Sequence, residues 1–339
     1  MTTYDAAVRL LRDARTPEDV FGSSSPERVY RELAKLVHPD RVAADRAAEA
    51  ADAFARLSAS WSARTGPATI TSRSAMYRVG PRLAADELAE YRSAESDGDE
   101  LVLKVARRPT DNDLLRGEAR SLRALRSVDP QWTPYLPDLR DSFTYRDQTT
   151  GADHVVNVLD RPQGIVSLSA VRAAYPSGLD PRDAAWVWRR LLVVLGVAHH
   201  CGLVHGAVVP DNVLIQAEQH GLVLTNWCYA VPEGEPVPAL LAHHRDWYAP
   251  EIPLREPASA GSDIYLATRC LLALMREPVP DPLRAFARGC LLAAPKGRPS
   301  DAWDLLAELD DVLGRIYGPR RFRPFALPAT VPAWPRQGR

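Results

Sequence analysis

The stretch from Leu203 to Cys228 restricts the fold more than any other part of this chain. It runs Leu203-Val204, a loop from His205 to Asn212, Val213-Leu214-Ile215, a polar turn from Glu218 to Gly221, Leu222-Val223-Leu224, and then Thr225-Asn226-Trp227-Cys228. Two short apolar runs about a Gly-containing polar turn spell a β-hairpin, with His205 to Asn212 as the loop that leads into it. Upstream, Asp180-Pro181 offers a cap with proline in the first turn, and the apolar pattern predicts a long helix from there to His200. His199 and His200 fall at its C-terminal end, where the helix dipole favours a cation, and they read as structural.

The chain has 339 residues, enough for two or three domains, and its 46% hydrophobic and 25% charged residues are those of an ordinary folded protein. A net charge of −1 supplies no global field to gather nucleic acid or an anionic membrane, so neither is expected as a partner. Cys201, Cys228, Cys270 and Cys290 lie far apart with no C-x-x-C pair, which argues against a zinc knuckle or a disulfide framework and fits a reducing, cytoplasmic setting. The longest apolar run, around Leu191 to Ala198, is too short to span a bilayer.

The first 65 residues read as helices. Thr2 to Ala14 is amphipathic. Ser24-Ser25-Pro26-Glu27 supplies a candidate cap, proline in the first turn and an acid behind it, and Val29, Leu33, Leu36 and Val37 then follow helical spacing. Arg28, Arg31 and Lys35 gather on another face of the same helix. His38-Pro39-Asp40 ends it, because proline disfavours helix at the preceding residue and lacks the N–H that would continue the ladder. A third helix runs from about Asp45 to Ala63, with Ala47, Ala51, Phe54, Ser58 and Trp61 as its stripe.

A basic helix ending in His-Pro-Asp, followed by a helix with a central Phe, resembles the J-domain of the DnaJ co-chaperones. The resemblance implies that Arg28, Arg31, Lys35, His38, Pro39 and Asp40 engage an Hsp70-type chaperone and stimulate its ATP hydrolysis. Residues 66–75, small and polar, read as a linker.

The hairpin region resembles the catalytic loop and metal-binding strand of protein kinases. The pattern H-R-D-L-x-x-x-N, often with Lys-Pro-Glu before the Asn, matches at His205, Pro210 and Asn212, and D-F-G falls on Asn226-Trp227-Cys228. The departures are in the chemistry. Ala207 stands where the catalytic base belongs, Val209 where a phosphate-contacting Lys sits, and Asn226 where an Asp holds Mg²⁺. The resemblance extends over residues 76–316. Leu101-Val102-Leu103-Lys104 matches V-A-I-K, and Glu118, on a helix from Leu114 to Leu125, matches the partner of that lysine. Trp247-Tyr248-Ala249-Pro250-Glu251 matches A-P-E, Asp263 the residue that holds the loop around His205, and Arg298 the partner of Glu251; His205, Glu251, Asp263 and Arg298 are thereby implied to be structural. Where the family has its Gly-rich loop, this chain has Arg82-Leu83-Ala84-Ala85-Asp86, so Asp86 and Glu87 bring acid towards a phosphate site.

The expected fold class is α+β: an all-α J-domain, then a bilobal protein-kinase-like fold with a β-rich N-lobe and helical C-lobe, then a Pro- and Arg-rich tail over 317–339. The expected function is an adaptor whose pseudokinase domain binds a protein partner or client and whose J-domain recruits the Hsp70. No metal site and no required cofactor are expected, with weak ATP and Mg²⁺ binding at Lys104, Glu118 and Asn212 as the residual nucleotide site. The alternatives are an atypical transferase on those same residues, with Asp211 as its spare acid, or a nucleotide sensor. Between Asn226 and Glu251 there is no Ser or Thr, and Gly206 replaces the Arg that would read an activation-loop phosphate. The tail's Phe322, Phe325 and Trp334 among prolines suggest an extended segment that docks on this protein or another.

Overall fold

The computed structural model describes residues 3–22, 25–65, 68–148 and 150–334, so Thr2, Ser24, Gly66 and the last five residues of the tail lie outside the description. The chain divides into two compact units, Met1–Gly80 and Pro81–Arg339.

In the first unit Thr3 caps helix α1 (Tyr4–Asp13), which buries Ala7, Val8 and Leu11. A short helix that the sequence reading did not foresee follows: α2 (Pro17–Phe21), set by a capping box in which Thr16 Oγ1 accepts the Asp19 N–H and Asp19 Oδ2 accepts the Thr16 N–H. It turns Val20 and Phe21 into the core. Helix α3 (Pro26–Val37) starts without the anticipated cap. Ser25 sits in the left-handed region at φ 53° and makes no side-chain bond to the helix, so proline at the first position does the work of starting it. His38 Nδ1 accepts the Asp40 N–H at 3.2 Å, and the chain turns through a 3-10 segment at Pro39–Arg41.

Helix α4 (Ala47–Thr65) buries Ala50, Ala53 and Leu57, not the face centred on Ala47, Ala51 and Ser58. In an alanine-rich helix neighbouring stripes look alike, because Ala adds little to either, and the bulk of Leu57 decides between them. Phe54 meets the His38 ring edge-on at 5.3 Å, and Trp61 packs on Phe21 and Tyr30. The segment read as a linker carries strand β1 (Ala68–Thr71), antiparallel to the first half of β2 (Met76–Ala85). Ser72 Oγ closes the turn between them by accepting the Ser74 and Ala75 N–H groups.

The second unit carries a sheet of β3 (Ala89–Ser96), β4 (Asp99–Ala106), β5 (Leu139–Arg146) and β6 (Asp153–Asp160), in the order β3-β4-β6-β5, with antiparallel pairing throughout. Asp97 and Gly98, both at positive φ, make the tight hairpin turn between β3 and β4. Helix α5 (Asn112–Arg126) lies on this sheet through Leu115.

The helical part begins with β7 (Val166–Ser167) and α6 (Leu168–Ala174), then α7 (Pro181–His200), whose Asp180 cap accepts the Arg182 N–H at 2.9 Å. Strands β8 (Leu203–Val204), β9 (Val213–Gln216), β10 (Gly221–Leu224) and β11 (Val231–Pro232) follow, then α8 (Ala260–Leu272), α9 (Asp281–Cys290) and α10 (Ala302–Tyr317). The expected hairpin is β9 and β10, Val213 opposite Leu224, with β7 added on its free edge. Trp188, Leu191, Leu195 and Ile264 centre one large core.

After α10 the tail returns over this unit. Arg323 Nε reaches Asp183 Oδ1 at 2.7 Å, Phe325 is buried beside Tyr175 and Trp186, and the Ala326 carbonyl accepts the Tyr175 hydroxyl. Among the described residues no helix is long and apolar enough to cross a membrane.

Candidate functional site

Residues predicted from scattered stretches converge between the sheet and the β9–β10 hairpin. Lys104 on β4 and Glu118 on α5 are both 1% exposed, with Nζ 2.7 Å from Oε1. The same ammonium donates to Asn226 Oδ1 at 2.7 Å and approaches Cys228 Sγ at 3.7 Å. A lysine has three donors, and these three contacts use them all.

Asn226 is equally committed. Its Oδ1 also lies 2.9 Å from the Tyr91 hydroxyl, its Nδ2 donates to Asn212 Oδ1 at 2.7 Å, and Asn212 Nδ2 donates to the Ala207 carbonyl at 2.9 Å. The result is an unbroken chain from Glu118 through Lys104, Asn226 and Asn212 to the backbone of the loop. Burial disfavours the Lys104 charge, yet its pKa is held above the ordinary value by the acidic groups around it, the Glu118 and Asp86 carboxylates among them. Burial also pushes the Cys228 thiol up to about 12, so it is uncharged near neutrality and the two carboxylates carry the attraction.

The loop itself is braced from behind. Asp263 Oδ2 accepts the His205 N–H at 2.7 Å and Oδ1 the Gly206 N–H at 2.9 Å, while His199 Nε2 lies 3.0 Å from Oδ2. His205 is buried and hydrogen-bonded to the Thr225 carbonyl; desolvation lowers its pKa to about 4, so it is neutral. Gly206 has φ +74°, and a Cβ there would stand 2.9 Å from the Tyr229 carbonyl oxygen. No arginine can occupy that position without moving the backbone. Farther away Arg298 forks onto Glu251 at 2.6 and 2.9 Å, both groups buried.

Two features escaped the sequence reading. Asp86 does not point its charge at open space: Oδ1 accepts the Leu88 and Ala89 N–H groups, and Oδ2 accepts the Tyr91 hydroxyl at 2.7 Å. It therefore builds the β2–β3 turn that glycines would otherwise make and ties it to Asn226 through Tyr91. Trp334 from the tail lines the adjoining cavity of about 150 Å³ together with Tyr91, Lys104, Glu118, Leu159 and Pro162.

A latch closes the outer edge. Glu87 Oε1 accepts the Ala242 N–H and lies 3.2 Å from His243 Nδ1; His243 Nε2 and His244 Nε2 lie 3.2 and 2.6 Å from Asp211 Oδ2, and the Ser169 hydroxyl donates to the other oxygen of Asp211. The paired His243-His244 was the available signal. Burial would lower the His243 pKa, but its bonds to Glu87 and Asp211 outweigh this and raise it. A raised folded value means that the latch contributes fully below the unfolded pKa, about 6.5, and is lost as pH rises through the higher folded value. An NMR titration should place His243 above the ordinary imidazole range, and Glu87→Gln should bring it back; a wild-type His243 titrating at or below that range would break this assignment.

No protein-family model matches this chain, and no curated protein matches it. Among solved structures it is similar to vaccinia related kinase 3, at 15% identity over 77% of this chain and 94% of that one, with a TM-score of 0.59. The fold is protein-kinase-like. Within that fold the brackets around the loop (Asp263 on His205 and Gly206, Glu251 on Arg298) hold the framework, while Ala207, Val209 and Asn226 supply neither an acid nor a second lysine. Ala207 and Val209 are wholly buried in the apolar core.

Proposed function

We propose that this chain is a non-catalytic adaptor: the kinase-like unit holds a protein partner or client, and the N-terminal helical unit recruits an Hsp70-type chaperone and stimulates its ATPase. The observation that carries the silent half is the closed chain from Glu118 to Ala207, in which every donor of Lys104 and both ends of the Asn226 amide already have protein partners. Phosphoryl transfer depends on a lysine and metal ions that neutralise phosphate charge and on a base that orients the nucleophile. Here the lysine faces an amide, the position of the base is alanine, and Mg²⁺ prefers carboxylate oxygens to amide oxygens. The residues present do not fit a Mg²⁺-bound nucleotide. The transferase alternative needs Asp211 free, and Asp211 is bound by His244, His243 and Ser169.

The recruiting half is supported by a loop whose residues all lie outside the buried set. Asp40 has an 88% exposed side chain, Pro39 lies outside the buried set, and Arg28, Arg31 and Lys35 are exposed on α3. His38 alone touches the interior, through its edge-on contact with Phe54. The test is the steady-state ATPase of an Hsp70 from the same host. Full-length protein should stimulate it, and His38→Gln should abolish the stimulation while circular dichroism and the melting profile stay unchanged. A wild type that stimulates no Hsp70 of its host would end this reading. The co-chaperone reading also places the protein in the cytoplasm, in keeping with its four unpaired cysteines.

A further inference from the structure

We propose that the C-terminal tail is the resident ligand of the kinase-like cleft, with Trp334 seated as a removable plug; this deepens the non-catalytic reading above and rests on it. Three observations converge. The tail is led to the cleft by firm upstream anchors: Arg323 on Asp183, Phe325 between Tyr175 and Trp186, and the Tyr175 hydroxyl on the Ala326 carbonyl. Pro328 and Pro332 restrict the stretch beyond, so little chain entropy is lost when it is laid down. At its end the Trp334 N–H donates to the Ile165 carbonyl at 2.8 Å, immediately after the β6 crossover between the two parts of the unit.

The indole then forms part of the cavity wall. It meets Tyr91 edge-to-face, with centroids 5.8 Å apart and planes at 74°, and joins a small apolar cluster with Leu83, Ala89 and Val102 on the underside of the sheet. Tyr91 is the residue whose hydroxyl bridges Asp86 and Asn226, so the plug and the closed polar chain share one side chain.

The hold at the tip is weak in comparison with the anchors. One backbone hydrogen bond, one aromatic pair and contact with a small apolar cluster fasten Trp334, and the indole remains half-buried. The plug can therefore leave while the segment before it stays docked. Because the tether is short, the indole competes at an effective concentration in the millimolar range. An external ligand meets a pocket whose walls suit a flat, uncharged aromatic group. Its far end is a paired Lys104–Glu118, and Asp138 and Asp160 on its wall disfavour phosphates.

The experiment compares full-length wild type, Trp334→Ala and Trp334→Phe by hydrogen exchange and by calorimetric titration with adenosine, a flat aromatic probe without phosphate. In the wild type the peptide over residues 326–334 should be protected; in Trp334→Ala it should exchange about tenfold or more faster while 318–325 stays protected. Adenosine should bind Trp334→Ala about tenfold or more tighter than wild type, with Trp334→Phe between. A wild-type tail that exchanges at the rate of unstructured chain overturns the proposal. So does adenosine affinity that is the same in wild type and Trp334→Ala, including no binding to either. Neither readout involves an Hsp70 or phosphate transfer, so loss of the plug and loss of the adaptor reading are separable results.

Discussion

Lys104→Met should lower the unfolding free energy of the kinase-like unit by about 3–5 kcal/mol, the usual cost of leaving one member of a buried ion pair without its partner. The substitution keeps the aliphatic stem and removes the charge. Glu118 would then be a carboxylate 1% exposed, with Asn157 Nδ2 at 2.9 Å as its remaining side-chain donor, and Asn226 Oδ1 would lose its charged donor. Lys104→Met with Glu118→Leu should recover most of that loss, because a buried pair replaced by apolar residues of similar volume is often close to neutral. Urea unfolding of the four proteins of this cycle yields the coupling directly. A single Lys104→Met variant within about 1 kcal/mol of wild type would mean that the pair is solvated and that the closed chain described above is not a structural unit.

The same chain of contacts shows what could and could not be read from the sequence. Lys104 and Glu118 were legible because a strand motif and a helix at the right distance after it leave few other partners for a buried lysine. The Asp263 brace and the Glu251–Arg298 pair were legible for a similar reason: each is tied to a local motif with a fixed place in a known scaffold. Asp86 was not. An acid in a loop without glycine reads as charge aimed at solvent or ligand, and nothing local says that it will fold back onto the Leu88 and Ala89 amides. The union of Tyr91 with Asn226 and Trp334 joins a strand, a hairpin end and the tail, and no periodicity links such distant segments. In the first unit the weak contrast among alanines hid the buried face of α4, whereas Thr16-Pro17-Glu18-Asp19 spells the capping box of α2 in the sequence itself. The His-Pro-Asp loop, by contrast, followed from proline chemistry alone.

Restoring the kinase residues of the loop should damage the fold before it restores any chemistry. Ala207 and Val209 are 0% exposed, and both belong to the main apolar core. In Ala207→Asp a carboxylate would enter beside Val208, and in Val209→Lys an ammonium would replace a branched aliphatic group in a packed site. Burying an unpaired charge is among the few single-residue changes that cost more than about 4 kcal/mol. The double variant should therefore unfold at markedly lower urea concentration than wild type. Asn226→Asp on its own should be the mildest of the three, since the new carboxylate still accepts from Lys104, although its other oxygen would face Asn212 Oδ1 where the amide had donated. The triple variant should transfer no phosphate to itself or to generic acceptors, because the turn at Asp86 remains tied to Tyr91 and Trp334 still walls the cavity. If it instead folds as the wild type does and phosphorylates, the loop was one substitution step from a working site. The cleft would then be a disabled kinase centre, and the adaptor reading would lose its main support.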